Sequence, residues 1–162
     1  PKTSRVTVRP LTTIGPEKDM STMVECDVPI VAERAIYFLY NGYISGGHVS
    51  PGAPFPEYPA TVITFAEGTT RAGFDEYLCL QNPNDEDAQV TITYMLGTGE
   101  NKTLDMVVPK KSRVTVMPVN VVGTEQDVST LIESTLPLIA ERPMYFNRDG
   151  WNDGHCCLGK PN

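Results

Sequence analysis

Histidine and tryptophan are almost missing from this chain: its 162 residues hold two of the first and one of the second. An acid–base or nucleophilic centre built on imidazole would have to rest on His48 or His155. The familiar sequence marks of an enzyme are missing too. No G-x-S-x-G, H-E-x-x-H, Walker loop or G-x-G-x-x-G occurs, and "GTGEN" at 97–101 is a turn between strands without the helix that a phosphate loop needs. The chain therefore reads as a non-enzyme with no cofactor. Its four cysteines, Cys26, Cys79, Cys156 and Cys157, form no C-x-x-C pair, so no zinc site is expected. Apolar runs stay well short of the roughly 18 residues of a membrane span, so no membrane insertion is expected. Basic residues (13) are outnumbered by acidic ones (20), and the net charge of −7 argues against nucleic acid or an anionic membrane as partner.

What the chain does have is a repeat. "PIVAERAIYF" (29–38) returns as "PLIAERPMYF" (137–146), and Ser4 to Ile44 laid without a gap on Ser112 to Asn152 keeps 19 of 41 residues identical. A one-residue slip then brings "SGGH" (45–48) onto "NDGH" (152–155). Since Ser4 and Ser112 stand 108 positions apart, the unit has the size of one small domain. Residues 1–49 read as the second half of such a unit, 50–60 ("SPGAPFPEYPA") as a semi-rigid Pro-rich linker, and 61–159 as a complete unit. Forty per cent hydrophobic residues suffice for a core. Opening on Pro1, without a signal-like n-region and h-region, the sequence reads as a processed chain or a fragment.

Period-2 alternation in Val-, Ile-, Thr- and Tyr-rich runs predicts strands at 76–82, 88–96, 102–108, 112–119, 128–135 and 137–146, with no helix of credible length. Breakers separate them: "NPNDED", "GTGEN", "PKKS", "NVVGTEQD" and "NRDGWNDG". The fold class expected is all-β, an antiparallel β-sandwich of immunoglobulin-like kind. The half unit supplies only the later strands, "SRVTV", "MSTMVEC" and "PIVAERAIYF".

The repeated Glu-Arg pairs, Glu33–Arg34 and Glu141–Arg142, sit inside apolar strands. Strand alternation puts Leu138, Ala140, Arg142, Met144 and Phe146 on one face and Ile139, Glu141, Pro143 and Tyr145 on the other. One charge of each pair thus falls on the core side or its rim, where a partner is required. Arg5 and Arg113, Glu25 and Glu133, and Asp19 and Asp127 recur as candidate partners. Glu33, Arg34, Glu141 and Arg142 are read as structural ion pairs that fix strand register, since a catalytic carboxylate would not need copying in a half unit.

The phrases "FAEGTTRAGFDEYLCLQNPNDEDAQVTITYML", "VPKKSRVTV", "IAERPMYF" and "GWNDGH" together resemble a repeated β-domain of unknown function found in large secreted bacterial cell-surface proteins. The likeness spans essentially the whole chain. It departs at "GHCCLGKPN", where two cysteines follow His155, and at Ala35, where the second copy has Pro143. The resemblance implies an extracellular, cell-surface location and a structural or adhesive role, with no catalytic residues to carry over.

The remaining candidates each have a plainer reading. His155 has Asp149, Asp153 and Cys156 nearby as metal donors, but His48 has Asn41, Ser45 and Val49 instead, so both histidines read as loop-structuring residues and no metal is assigned. Trp151 aligns with Tyr43, and the two are either aromatics packed beneath a loop or a platform for a glycan. Glu67, Asp75 and Glu76 form an acidic loop of the kind that holds calcium or is merely solvated. Asn101-Lys102-Thr103 is a glycosylation sequon on a turn. In an oxidising compartment, pairing Cys26 with Cys79 would staple the half unit to the full one; otherwise Cys79 is a small buried residue.

Two functions fit. The first is an extracellular structural repeat of a stalk, fibre or adhesin filament, partnered by self-association or by neighbouring repeats through β-strand or end-to-end contacts. The second is a carbohydrate-binding accessory module that takes a glycan at Tyr43 and Trp151. In either case the half unit lacks its earlier strands, and Val6, Val8, Val31 and Phe38 are expected to be closed by residues outside 61–159.

Overall fold

A computed structural model describes residues 2–162. The chain is all-β with antiparallel sheets, consistent with a β-sandwich. Strand β1 (Glu33–Tyr40) pairs only with β2 (Ile44–Pro51), while all later strands join through one central strand. That strand, β9 (Val128–Arg148), is 21 residues long and takes in both strands predicted at 128–135 and 137–146. Its first half pairs with β3 (Ala60–Phe65) and β6 (Ala88–Leu96). Its second half pairs with β4 (Phe74–Glu76), β5 (Leu78–Asn82) and β10 (Trp151–Leu158). The crossing falls just after Pro137: Leu138 still pairs with Ala60, and Ile139 already pairs with Gln81. A proline tolerates this place because it has no N–H to give the ladder, and its carbonyl accepts from Asn84 Nδ2 at 2.8 Å. Strand β7 (Asn101–Val108) extends the first sheet beyond β6, β8 (Ser112–Val116) extends the second beyond β5, and β11 (Lys160–Pro161) closes onto β3.

The core follows from alternation. In β6, Ala88, Val90, Ile92, Tyr94 and Leu96 are buried and the residues between them are not. They meet Leu78 and Leu80 of β5, Val108 of β7, and Ile132, Leu138 and Ala140 of β9. Each such aliphatic side chain contributes about 1.5–3 kcal/mol by leaving water. Asn82 is one of the buried polar residues, donating from Nδ2 to the carbonyls of Glu86 and Val108, both at 2.9 Å. The "NPNDED" segment is thus anchored by a side chain read from sequence as a solvated breaker.

Several further expectations need correction. The stretches "SGGHVSP" and "WNDGHCCL", read as loops, are the strands β2 and β10, so His48 and His155 stand in strands opposite Ile36 and Met144. The strand predicted over 76–82 breaks at Tyr77 into β4 and β5, and β3 was not predicted. The Pro-rich stretch 50–60 is not a free spacer, because Tyr58 is buried and its hydroxyl donates to the carbonyl of Gly159. In the half unit, "SRVTV" and "MSTMVEC" have no regular secondary structure and join no sheet, so the strands predicted there are not formed.

Even so, the half unit keeps the local shapes of the full one. Helix α1 (Leu11–Ile14) repeats α2 (Val119–Val122), each one turn between a proline and a glycine. Gly15 (φ 80°, ψ 175°) matches Gly123 (φ 85°, ψ −176°), and Glu17 (φ 56°) matches Glu125 (φ 59°). Turn chemistry sets these conformations without help from a core.

Candidate functional site

The site with most structure is the contact between the two repeated hairpins. In β1, Arg34, Ile36, Phe38 and Tyr40 face the full unit, while Glu33, Ala35, Tyr37 and Leu39 face outward. Arg34 reaches across to the other copy: its Nη1 donates to Glu141 Oε2 at 2.9 Å and its Nη2 to Glu141 Oε1 at 3.0 Å. Burial works to lower the Arg34 pKa, but the Glu141 hydrogen bonds and charge prevail and hold it above its usual value. Neither glutamate therefore pairs with its own neighbouring arginine. Phe38 meets Tyr145 edge-on at 5.0 Å, and Tyr40 stacks on Tyr145 at 4.2 Å while sharing a 2.7 Å hydrogen bond with the Tyr77 hydroxyl. Burial, then the Tyr77 hydrogen bond, raises the Tyr40 pKa.

Glycine makes the close approach feasible. A Cβ on Gly154 would come within 2.8 Å of the Phe38 ring, 2.9 Å of the Tyr145 ring and 3.0 Å of the Met144 carbonyl. Gly47 has the same surroundings within its own hairpin, 2.9 Å from the Tyr37 ring and 3.0 Å from the Ile36 carbonyl. Both hairpins thus carry a tyrosine laid over a bare glycine with a glutamate four residues before it. In one copy that face is covered by Arg34, Phe38 and Tyr40. In the other it is open, with Tyr37 87% exposed.

The second arginine stands elsewhere. Arg142 is 5% exposed, donates from Nη2 to Glu67 Oε2 at 2.8 Å, and lies over the Phe65 ring at 6.0 Å. Beside it Glu76 is buried and accepts from the Thr69 N–H at 2.5 Å. Burial pushes the Glu76 pKa up to about 7, against the Thr69 N–H and the Arg142 charge. Of the expected partners, Asp19 lies 3.4 Å from Arg113, while Asp127 takes both guanidinium nitrogens of Arg71, at 2.8 and 2.5 Å. Glu33 remains on the outer face. The acidic loop residues Glu67 and Glu76 are committed to Arg142 and to the Thr69 N–H, which sequence reasoning missed because the partners lie 75 and 7 positions away.

Cys26 and Cys79 are not bridged; all four cysteines are free thiols. Cys26 is exposed beside Asp27, and Cys79 accepts from Arg113 Nη2 at 3.0 Å. Burial, then the Glu141 charge, pushes the Cys156 pKa up to about 12, which favours the protonated thiol. Burial, then Arg34, lowers the His48 pKa. Among the described residues no three His, Cys, Asp or Glu side chains group as a metal site requires.

Tyr43 and Trp151 are both exposed, not packed beneath a loop. Their equivalence also needs correction. The first turn holds three residues, Asn41–Tyr43, and the second two, Asp149–Gly150, so the ladders match Trp151 with Ile44 and the one-residue slip lies in the turn itself. Asn152 Nδ2 donates to the Tyr43 carbonyl at 2.8 Å, which sets the two turns side by side.

No protein-family model matches the chain, and no curated protein matches it. Among solved structures, the crystal structure of Thermotoga maritima 1070 is similar, with a TM-score of 0.58 at 17% identity over 64% of this chain and 95% of that one. The likeness is one of fold. The Anabaena sensory rhodopsin transducer matches more loosely, with a TM-score of 0.48 at 24% identity over 53% of this chain and 84% of its own. Among the described residues no helix is long and apolar enough to cross a membrane.

Proposed function

We propose that this chain is a structural repeat module of an extracellular, cell-surface stalk, fibre or adhesin, built on an immunoglobulin-like sandwich and joined to neighbouring repeats through hairpin faces and strand edges. One observation carries the reading. The hairpin of the half unit seats on the hairpin of the full unit through a tyrosine-over-glycine face, and it presents a second such face outward at Tyr37 and Gly47. A repeated surface that is met in one copy and open in the next is what successive modules need. The test is electron microscopy of the native protein decorated with an antibody to this chain. Regular spacing along a fibre or stalk is expected; isolated globular particles would overturn the reading.

A second reading is favoured by the neighbouring exposed aromatics Tyr43 and Trp151, which suit the flat face of a sugar ring. Polysaccharide pull-down that succeeds with the parent and fails with Trp151→Ala would select it.

A further inference from the structure

In the full unit, the loop Glu67–Ala72 is fastened by Glu76 of its own half, which accepts from the Thr69 N–H, and otherwise by the later half. Glu125 Oε1 accepts from the Ala72 N–H at 2.8 Å, Asp127 holds Arg71, Arg142 holds Glu67, and the Gly123 carbonyl accepts from the Thr70 hydroxyl at 2.7 Å. Each holder has an identical counterpart in the half unit: Glu17, Asp19, Arg34 and Gly15. Gly15 and Glu17 already have the backbone angles of Gly123 and Glu125. "SRVTV" at 4–8 is letter for letter the strand β8 that pairs with β5, yet Val8 is 77% exposed where Val116 is buried. Charges, turns and apolar strand are therefore preset for a loop and strands that residues 2–60 do not contain.

We propose that residues 3–40 are a receptor for the first half of another repeat, a polypeptide segment with the strand pattern of residues 61–108 and its Glu-Gly-Thr-Thr-Arg-Ala loop. Charge selects it: the loop brings a glutamate for Arg34 and an arginine for Asp19. This rests on the assembly role proposed above and gives it a second form, in which strand edges rather than the internal hairpin contact join the repeats. Occupation excludes the hairpin contact described here. The counterparts of Ile36 and Phe38 are the buried Met144 and the half-buried Phe146, and one strand face cannot take up those places and rest on Tyr145 together. Binding therefore withdraws Arg34 from Glu141 and uncovers Cys156.

The probe is the segment 61–108 itself, given in two forms. One is a separate polypeptide titrated into the intact chain. The other is fused ahead of Pro1, so that the Val108–Pro1 junction repeats the Val108–Pro109 one. The expected result is a one-to-one complex, with amide exchange at Val6, Val8 and Val24 slowed at least about 100-fold in both forms and faster alkylation of Cys156. Asp19→Ala should weaken the separate segment about tenfold or more without altering exchange in β6 and β9, which lie away from its present partner Arg113. A fused chain whose residues 4–8 exchange as fast as the parent's overturns the proposal, whether or not the separate segment is soluble. The fused chain reports on the receptor alone and microscopy on the assembly alone, so failure of one is distinguished from failure of the other.

Discussion

Residues 4–40 and 112–148 carry nearly the same text in two surroundings. Their turns agree to within a few degrees, but their side chains do not share a fate: Leu138 is fully buried and its counterpart Ile30 is 56% exposed. The difference teaches which part of this fold is local. The single helical turns and left-handed turn residues form wherever their sequence occurs, whereas the strands at 4–8 and 20–26 join a sheet only where β5 or β6 and β3 exist to pair with them. A counterpart pair of residues thus works as an internal control.

The largest contrast is expected in the core. Leu138→Ala should cost about 2–5 kcal/mol in chemical denaturation, and Ile30→Ala should stay within about 0.5 kcal/mol of the parent; equal losses would mean that the half unit has a core of its own. The arginines come next. Arg142→Met leaves the buried Glu76 without its nearest cation and should cost on the order of 3 kcal/mol, while Arg34→Met, in a half-exposed pair, should cost under about 1 kcal/mol. A variant at 142 that melts like the parent would make the two sites equivalent after all.

Glu76 sharpens the comparison through pH, since the half unit has no counterpart to it. Its folded pKa, about 7, lies above the usual 4.5, so the folded state holds the proton more tightly. The stability this lends is complete below about pH 4.5 and is lost as pH rises through 7. Glu76→Gln should abolish that dependence and add on the order of 2 kcal/mol at pH 8; denaturation at pH 5 and pH 8 measures it. The smallest effect is at the turn tips, where Trp151→Ala should change stability by less than about 0.5 kcal/mol.

Much of the full unit was legible because alternation and turn residues coincide there. Strands β6, β7 and β8 lie where period-2 runs end at Gly, Pro and Asn. The hairpin strands β2 and β10 were not legible, because their glycines read as breakers when Gly47 and Gly154 in fact lie beneath tyrosine rings from the paired strands. Pro137 likewise looked like a boundary inside what is one strand. At the site, the face assignment of Arg142 followed from alternation, but its partner Glu67 did not, since nothing in a sequence tells which of several acidic loops folds onto a given strand. The link from Arg34 to Glu141 was hidden for another reason: the repeat invites pairing within a copy, and the bond runs between copies.

Strand β9 has a mechanical consequence. It is the only strand shared by the two sheets of the full unit, so tension transmitted through either sheet is borne by a single continuous backbone. In the series of repeats proposed above, both sheets of a unit are then expected to fail together, so that force-extension of the native protein would show lengthening in equal steps.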